Sequence, residues 1–299
     1  MKAGNPSEIA RKYLEHGRSE DCPIIDMHGH WGPYGGGYFP AADPEVMIAT
    51  LKRCGVEKIV CSSHESLMAD VERGNGIMQQ AIDRWPEALL GYWSINPNYP
   101  ELAARAAEDF EKARGFVGFK FLPDYHTYPI TGKRNCPALE YADQRGLLAL
   151  VHTWGGSAYN SPAQLEEVAR KYPHATFIMG HSGYGDWETS LRIARELPNV
   201  YLELTAVYVC HDFGMFPSGS GTPAPLLSYP QVNGIIELMV QVAGSRKVLF
   251  GTDLPWYSPL YAAGAVLFAR ISDDDRRNIL HRNARRLLSA FVGERSRGK

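Results

Sequence analysis

PIIDMHGH, residues 23–30, is a short apolar run that ends in two histidines separated by one glycine. Short apolar runs bounded by turn residues predict buried strands, whereas apolar residues three and four apart predict helices. Working outward, the strand signal of 23–28 recurs at 57–62, 88–94, 115–121, 147–152, 175–180, 199–204 and 247–252, with helical patterns between. None of the eight shows the polar alternation of a one-sided sheet, as expected for parallel strands covered by helices. The pattern predicts an α/β fold, a (β/α)8 TIM barrel in a single domain over 1–299. The barrel occupies roughly 23–270 and a C-terminal helix 272–290.

Several helix starts carry a mechanism. Ser161-Pro162 with Gln164, and Ser272 with Asp275, read as capping boxes, and Asp43-Pro44 marks another start. In 71–85, Ile77, Met78, Ala81, Ile82 and Trp85 share one face that packs on the barrel. The segment 208–231, rich in glycine and proline, breaks the alternation after the seventh strand. A connection that long on the catalytic face is expected to act as a substrate lid presenting Tyr208 or Phe213 to the substrate.

Composition narrows the function classes. Hydrophobic residues make up 44% and charged residues 21%, enough for a large core and incompatible with a disordered chain. Lysine plus arginine number 31 against 33 acidic residues, a net charge of −2 without a basic run, so no nucleic-acid footprint is present. Cys22, Cys54, Cys61, Cys136 and Cys210 never form a C-x-x-C pair, which argues against a disulfide framework or zinc finger and fits a reducing cytoplasm. The N-terminus is polar and no run of about 18 apolar residues occurs, so neither secretion nor membrane insertion is expected. The expected partner is a small-molecule substrate, with no nucleic acid and no membrane; a homo-oligomer is compatible with it.

In extended chain, residues i and i+2 point to the same side, so His28 and His30 can meet one ion, with Gly29 leaving space between them. The other candidates fall at strand ends: Lys120 after the fourth, His152 after the fifth, His181 after the sixth and Asp253 after the eighth. His28 and Lys120 are 92 residues apart, and the next gaps are 32 and 29, matching βα units of roughly 30 residues. All therefore arrive at the C-terminal mouth of one barrel, where active sites of this fold are built.

The fragments IIDMHGH (24–30), GFKFLPD (118–124), LLALVHTW (147–154), FIMGHSG (177–183), VLFGTDLPW (248–256) and DDDRRNILHRNARRLL (273–288) together resemble the amidohydrolase superfamily, in its amidohydrolase 2 branch of metal-dependent hydrolases and decarboxylases. The resemblance spans nearly the whole chain. It implies His28, His30, His152 and Asp253 as metal ligands, and His181 as a second-metal ligand or an acid/base residue. Two positions depart from the family pattern: Leu122 stands where many relatives carry histidine, and Thr252 replaces the commoner serine before the final ligand.

Three neutral imidazoles and a carboxylate suit Zn2+ first, with Mn2+ or Fe2+ able to use the same ligands. One ion is expected, two if Lys120 is carboxylated into a bridging ligand; Lys120 otherwise binds substrate or forms a salt bridge. Bound water would be acidified to a pKa near about 7, with Asp253 as its proton acceptor and His181 beside the developing oxyanion. His64 and His211 are read first as loop residues without a role, although both could reach the cavity from their loops. The expected rim is Trp31, Tyr34, Ser63, Trp93, Lys120, Trp154, Tyr159, Tyr184, Tyr208 and Trp256, aromatic bodies able to enclose a ring. No arginine is among them. That favours hydrolysis of an ester, lactone or amide, with non-oxidative decarboxylation of an aromatic or dienoic acid as the alternative. A silent scaffold barrel would lack a ligand, and none is missing.

Overall fold

A computed structural model describes residues 7–68, 70–207 and 232–292. Eight parallel strands follow one another in chain order: β1 Ile24–Trp31, β2 Val56–Ser63, β3 Leu89–Ile95, β4 Phe116–Phe121, β5 Leu148–Trp154, β6 Thr176–Tyr184, β7 Val200–Glu203 and β8 Val248–Leu249. Each pairs with its neighbour, from β1·β2 through β7·β8. Between β8 and β1 single backbone bonds replace a ladder: Met27 N–H to Phe250 O at 2.9 Å, Asp253 N–H to His28 O at 2.8 Å and His30 N–H to Leu254 O at 2.8 Å. These bonds draw the carboxylate-bearing turn after β8 onto the histidine strand. The segment 208–231, with Tyr208, His211 and Phe213, lies outside the described residues.

Alternation along the strands builds two apolar shells. Ile25, Met27, Val60, Tyr92, Val117, Leu148, Leu150, Ile178 and Leu249 fill the interior, together with Ala284 and Leu288 of the C-terminal helix. Their strand neighbours, among them Ile24, Ile59, Phe119, Ala149 and Phe177, face the outer helices. Both faces are therefore apolar, which is why the strands read as uninterrupted hydrophobic runs. The helix starts follow the cap chemistry: Asp43 caps Pro44–Arg53, and Ser161 and Ser272 each close a capping box. The helix Val71–Arg84 buries Met78, Ala81 and Ile82. The C-terminal helix, expected as one piece, contains a π-helical turn over Asn278–Arg282. Beyond it the Asn283 amide donates to Ser245 O and Val248 O, tying the helix to the start of β8.

Strand ends differ from the sequence reading in a systematic way. Strands β1, β5 and β6 run to residues 31, 154 and 184, because the His30↔Ser62 and Trp154↔Tyr184 pairings continue the ladder through residues whose polarity reads as loop. Strand β8 stops at Leu249 rather than 252, because the Thr252 amide bonds the Asp26 side chain and Asp253 turns to φ 62°. Packing between strands is close where glycine stands: a Cβ on Gly118 would lie 1.9 Å from the Leu148 carbonyl oxygen. Gly118→Ala should therefore cost about 1–3 kcal/mol by forcing β4 from β5, read as a lower urea midpoint. An unchanged midpoint would mean the two strands separate freely.

Candidate metal centre and active site

A register shift between Asp26 and Gly29 resets the alternation of β1, so that His28 and His30, two residues apart, both face the mouth beyond the inward-facing Met27. His28 is fully buried, and its Nδ1 lies 2.9 Å from Glu203 Oε2. A carboxylate accepts, so Nδ1 carries the proton and the lone pair of His28 sits on Nε2. That lone pair faces inward, 2.7 Å from Lys120 Nζ and 3.5 Å from Asp253 Oδ1. His30 Nε2 lies 3.1 Å from the same carboxylate oxygen. Burial drives His28 well below its ordinary pKa, with Lys120 adding to the effect, and lowers His30 against the pull of Asp253. Both rings are thus neutral and ready to act as ligands.

The ligand atoms of His28, His30 and Asp253 lie within 4.8 Å of one another. Asp253 Oδ1 is buried among them without hydrogen-bond geometry to any group. Burial pushes the Asp253 carboxyl up, but His28, His30 and His181 outweigh it and hold the group well below the usual carboxylate range. An orphaned anionic oxygen facing two imidazole nitrogens fits a divalent cation. Asp253 is held there by a clamp. The Asp26 carboxylate accepts from the His28 amide (3.1 Å), the Thr252 amide (3.2 Å) and the Thr252 hydroxyl (2.5 Å), while Leu254 N–H donates to that hydroxyl (3.0 Å). Threonine in the GTD turn therefore supplies the hydroxyl that links β8 to β1.

His152 and His181 form the adjoining half of the site. His181, at φ 61°, donates its backbone N–H to Glu203 Oε2 at 3.1 Å, and its Nδ1 meets Thr205 O at 3.2 Å. Since a carbonyl only accepts, Nδ1 of His181 is protonated and its Nε2 accepts the His152 Nδ1 proton at 2.9 Å. His152 Nε2 lies 3.5 Å from Asp124 Oδ2, and Asp124 is fixed by the Ser157 hydroxyl and the Asn160 amide. Thus His152 is linked to the His28–His30–Asp253 group through His181, whose ring centroid is 5.2 Å from that of His28, and is not itself one of the three converging ligands. Lys120 is fully buried; burial lowers its pKa to about 8, opposed by Asp253 and Glu203.

Glu203, which the sequence reading passed over, joins the two halves. Oε2 accepts from His28 and from the His181 amide, and Oε1 accepts from the Thr205 amide and hydroxyl. Gly251 makes room for it: a Cβ there would lie 1.8 Å from Oε1. A charged residue closing an otherwise apolar seventh strand was the available signal. Of the two loop histidines that could reach the cavity, His64 borders the site: it is buried, with its ring stacked on His30 at 5.0 Å.

The aromatic rim needs correction at two places. Trp31 is buried against Trp85, ring centroids 5.3 Å apart, and Trp93 packs edge-to-face on Phe116 at 5.1 Å. Because His30 and Tyr92 point inward, the next residue on each strand must point out, so neither tryptophan lines the mouth. Ser63 instead caps the following turn, accepting from the Glu65 amide. Trp154, two residues after His152, does face the site, stacked within 9° of that ring and 5.6 Å from His181. Tyr34 and Trp256 meet at 5.2 Å near His64, and Tyr184 stacks on Trp154 at 4.9 Å. No helix among the described residues is long and apolar enough to cross a membrane.

Comparison with known proteins follows the same lines. A γ-resorcylate decarboxylase of Polaromonas sp. strain JS666 is 24% identical over 284 residues, covering 82% of this chain and 83% of that protein. The structure of 2,6-dihydroxybenzoate decarboxylase complexed with 2,6-dihydroxybenzoate superposes with a TM-score of 0.68 at 14% identity, over 90% of this chain and 99% of that one. A dihydroxybenzoic acid decarboxylase from the same Polaromonas strain, with bound manganese and 2-nitroresorcinol, gives a TM-score of 0.63 at 16% identity, over 90% and 97%. The amidohydrolase family model, Amidohydro_2, matches residues 25–289, from the strand that bears His28 and His30 to the helix that plugs the barrel. With that match laid over the eight-stranded barrel and its buried histidine–aspartate centre, the chain belongs to the amidohydrolase family and is an enzyme of the amidohydrolase superfamily.

Proposed function

We propose that the protein is a divalent-metal-dependent, non-oxidative decarboxylase of a planar aromatic acid. The observation that carries this reading is Lys120, whose buried ammonium lies 2.7 Å from His28 Nε2 in the middle of the ligand cluster. The sequence favoured hydrolysis because the rim offered no arginine for a carboxylate; a cation buried at the centre supplies the missing charge. A neutral ester has no need of it, whereas a carboxylate entering a desolvated site does. The decarboxylases of resorcylate and dihydroxybenzoate among the relatives support the same choice.

The residues that would hold the ion are His28, His30 and Asp253, with His152 the remaining candidate, and the set accommodates Mn2+ or Zn2+. When bound, such an ion supplies positive charge that orients substrate oxygens and stabilises negative charge as it develops. Lys120 pairs with the acidic oxygens of the substrate. The bond between the ring and its carboxyl carbon then breaks, its electron pair stays on the ring carbon, and CO2 leaves. That carbon takes up one proton, drawn in the end from solvent, and the His181–His152 pair, hydrogen-bonded at 2.9 Å, is placed to relay it, while Asp253 stays ionised as a ligand.

The test is to give enzyme loaded with Mn2+ or Zn2+ 2,6-dihydroxybenzoate in D2O, and aryl esters and lactones in parallel. Release of CO2 with one deuterium at the vacated ring carbon is expected. Ester cleavage without CO2 would establish hydrolysis instead. Lys120→Met should raise KM for the acid at least about tenfold, the value of one charge-assisted contact.

A further inference from the structure

Four aromatic side chains that neither the metal centre nor the proton path uses gather at the ends of β1 and β2 and after β8. His64 lies in their middle, 1% exposed, with both ring nitrogens committed. Its Nδ1 lies 2.6 Å from Gly32 O and therefore carries the proton, while its Nε2 accepts the indole N–H of Trp256 at 2.9 Å. Proton transfer or metal ligation by His64 would break one of these bonds. Its ring is nearly parallel to those of His30 (5.0 Å, 15°) and Phe39 (6.3 Å, 11°). Trp256 packs on Phe39 at 4.6 Å and Tyr34 on His64 at 5.4 Å. Tyr34, Phe39 and Trp256 are only half-buried, so the assembly keeps aromatic surface open while its centre is sealed.

We infer that His64 is a positioning residue that pins Trp256 beside Tyr34 and Phe39, their rings inclined 42–52° to one another, into a fixed aromatic wall next to His30, and that this wall selects substrates by stacking a planar aromatic ring. The inference rests on the aromatic-acid reading above and deepens it. A tryptophan whose N–H is tied down cannot turn away, so the ring meets a surface already in place and no side chain has to be ordered on binding. Stacking and the avoided ordering each change affinity roughly two- to tenfold. The wall discriminates by shape, whereas Lys120 discriminates by charge.

The experiment uses the intact, metal-loaded protein and calorimetric binding of three probes: resorcinol, benzoate and cyclohexanecarboxylate. His64→Asn keeps a donor for Gly32 O, but its shorter side chain cannot bring an acceptor to the place of Nε2 at the indole; Trp256→Phe keeps a ring and loses the N–H. Each single variant, and the double variant no more than either, should weaken resorcinol and benzoate about fivefold while leaving cyclohexanecarboxylate and metal content as in the parent. In turnover the same variants should raise KM more than they lower kcat. Additive losses, equal losses for flat and puckered rings, or loss of metal in His64→Asn would overturn the assignment. Should His64→Asn fail to fold, Trp256→Phe alone decides it on the same probe ratio. A parent that binds benzoate no better than cyclohexanecarboxylate refutes the wall even if CO2 is released. Retained ring selectivity without CO2 release leaves the wall standing and removes the decarboxylase reading.

Discussion

His28→Ala should yield a folded protein without bound metal and with activity reduced at least about 10³-fold, the loss expected when several kcal/mol of metal-based stabilisation disappear. The reasoning starts from the second nitrogen of the ring. Nδ1–H is engaged by Glu203, which fixes the tautomer and aims the Nε2 lone pair at the point where Asp253 Oδ1 stands unpartnered. Alanine removes the ligand and also strips a buried carboxylate of one of its donors, so a stability loss of about 1–3 kcal/mol should accompany it. His30→Ala separates the two effects. Its Nδ1 meets only the Ser62 hydroxyl, at 3.3 Å, so that variant should lose metal with little change in unfolding midpoint. The measurements are metal content after dialysis, circular dichroism and turnover. Parent-like metal occupancy in both variants would remove these residues from the ligand set.

What the sequence reveals and what it hides follow from distance along the chain. His28 and His30 are legible because their relation is local, two residues apart on one strand. Lys120, His152, His181 and Asp253 are legible because parallel strands of a barrel all end at one mouth, so a strand-end position is already a spatial statement. Glu203 is at such a position too, yet its pairing with His28 joins residues 175 apart, and no spacing rule announces which strand end will supply the carboxylate that orients the histidine. The misplacement of Trp31 and Trp93 has a simpler cause. Strand-end position alone places both at the mouth, whereas strand parity turns both toward the helices once His30 and Tyr92 point inward. For His64 the sequence shows only a histidine after β2; its role depends on Gly32, Trp256 and His30, which chain folding brings to it from both ends of the protein. The unexpected shortness of β8 has the same origin, since Thr252 divides its backbone N–H between the Asp26 side chain and His28 O instead of making one regular ladder bond.

His181→Asn should retain one metal ion and lose at least roughly 100-fold in turnover, the range for removing an acid/base or oxyanion group. Asparagine suits the position, because residue 181 sits at φ 61°, a conformation that asparagine tolerates better than most side chains. The backbone N–H that bonds Glu203 is retained, so the carboxylate keeps that donor and continues to orient His28. What disappears is the link from Thr205 O through the imidazole to His152 Nδ1. If that link carries the proton, kcat falls while KM and metal content stay close to the parent values. His152 then loses its proton-sharing partner but keeps the Asp124 carboxylate 3.5 Å from its other nitrogen. A metal-free His181→Asn protein would place His181 among the primary ligands, and a fully active one would take it out of the chemistry altogether. Turnover and metal analysis on the same preparation distinguish all three outcomes.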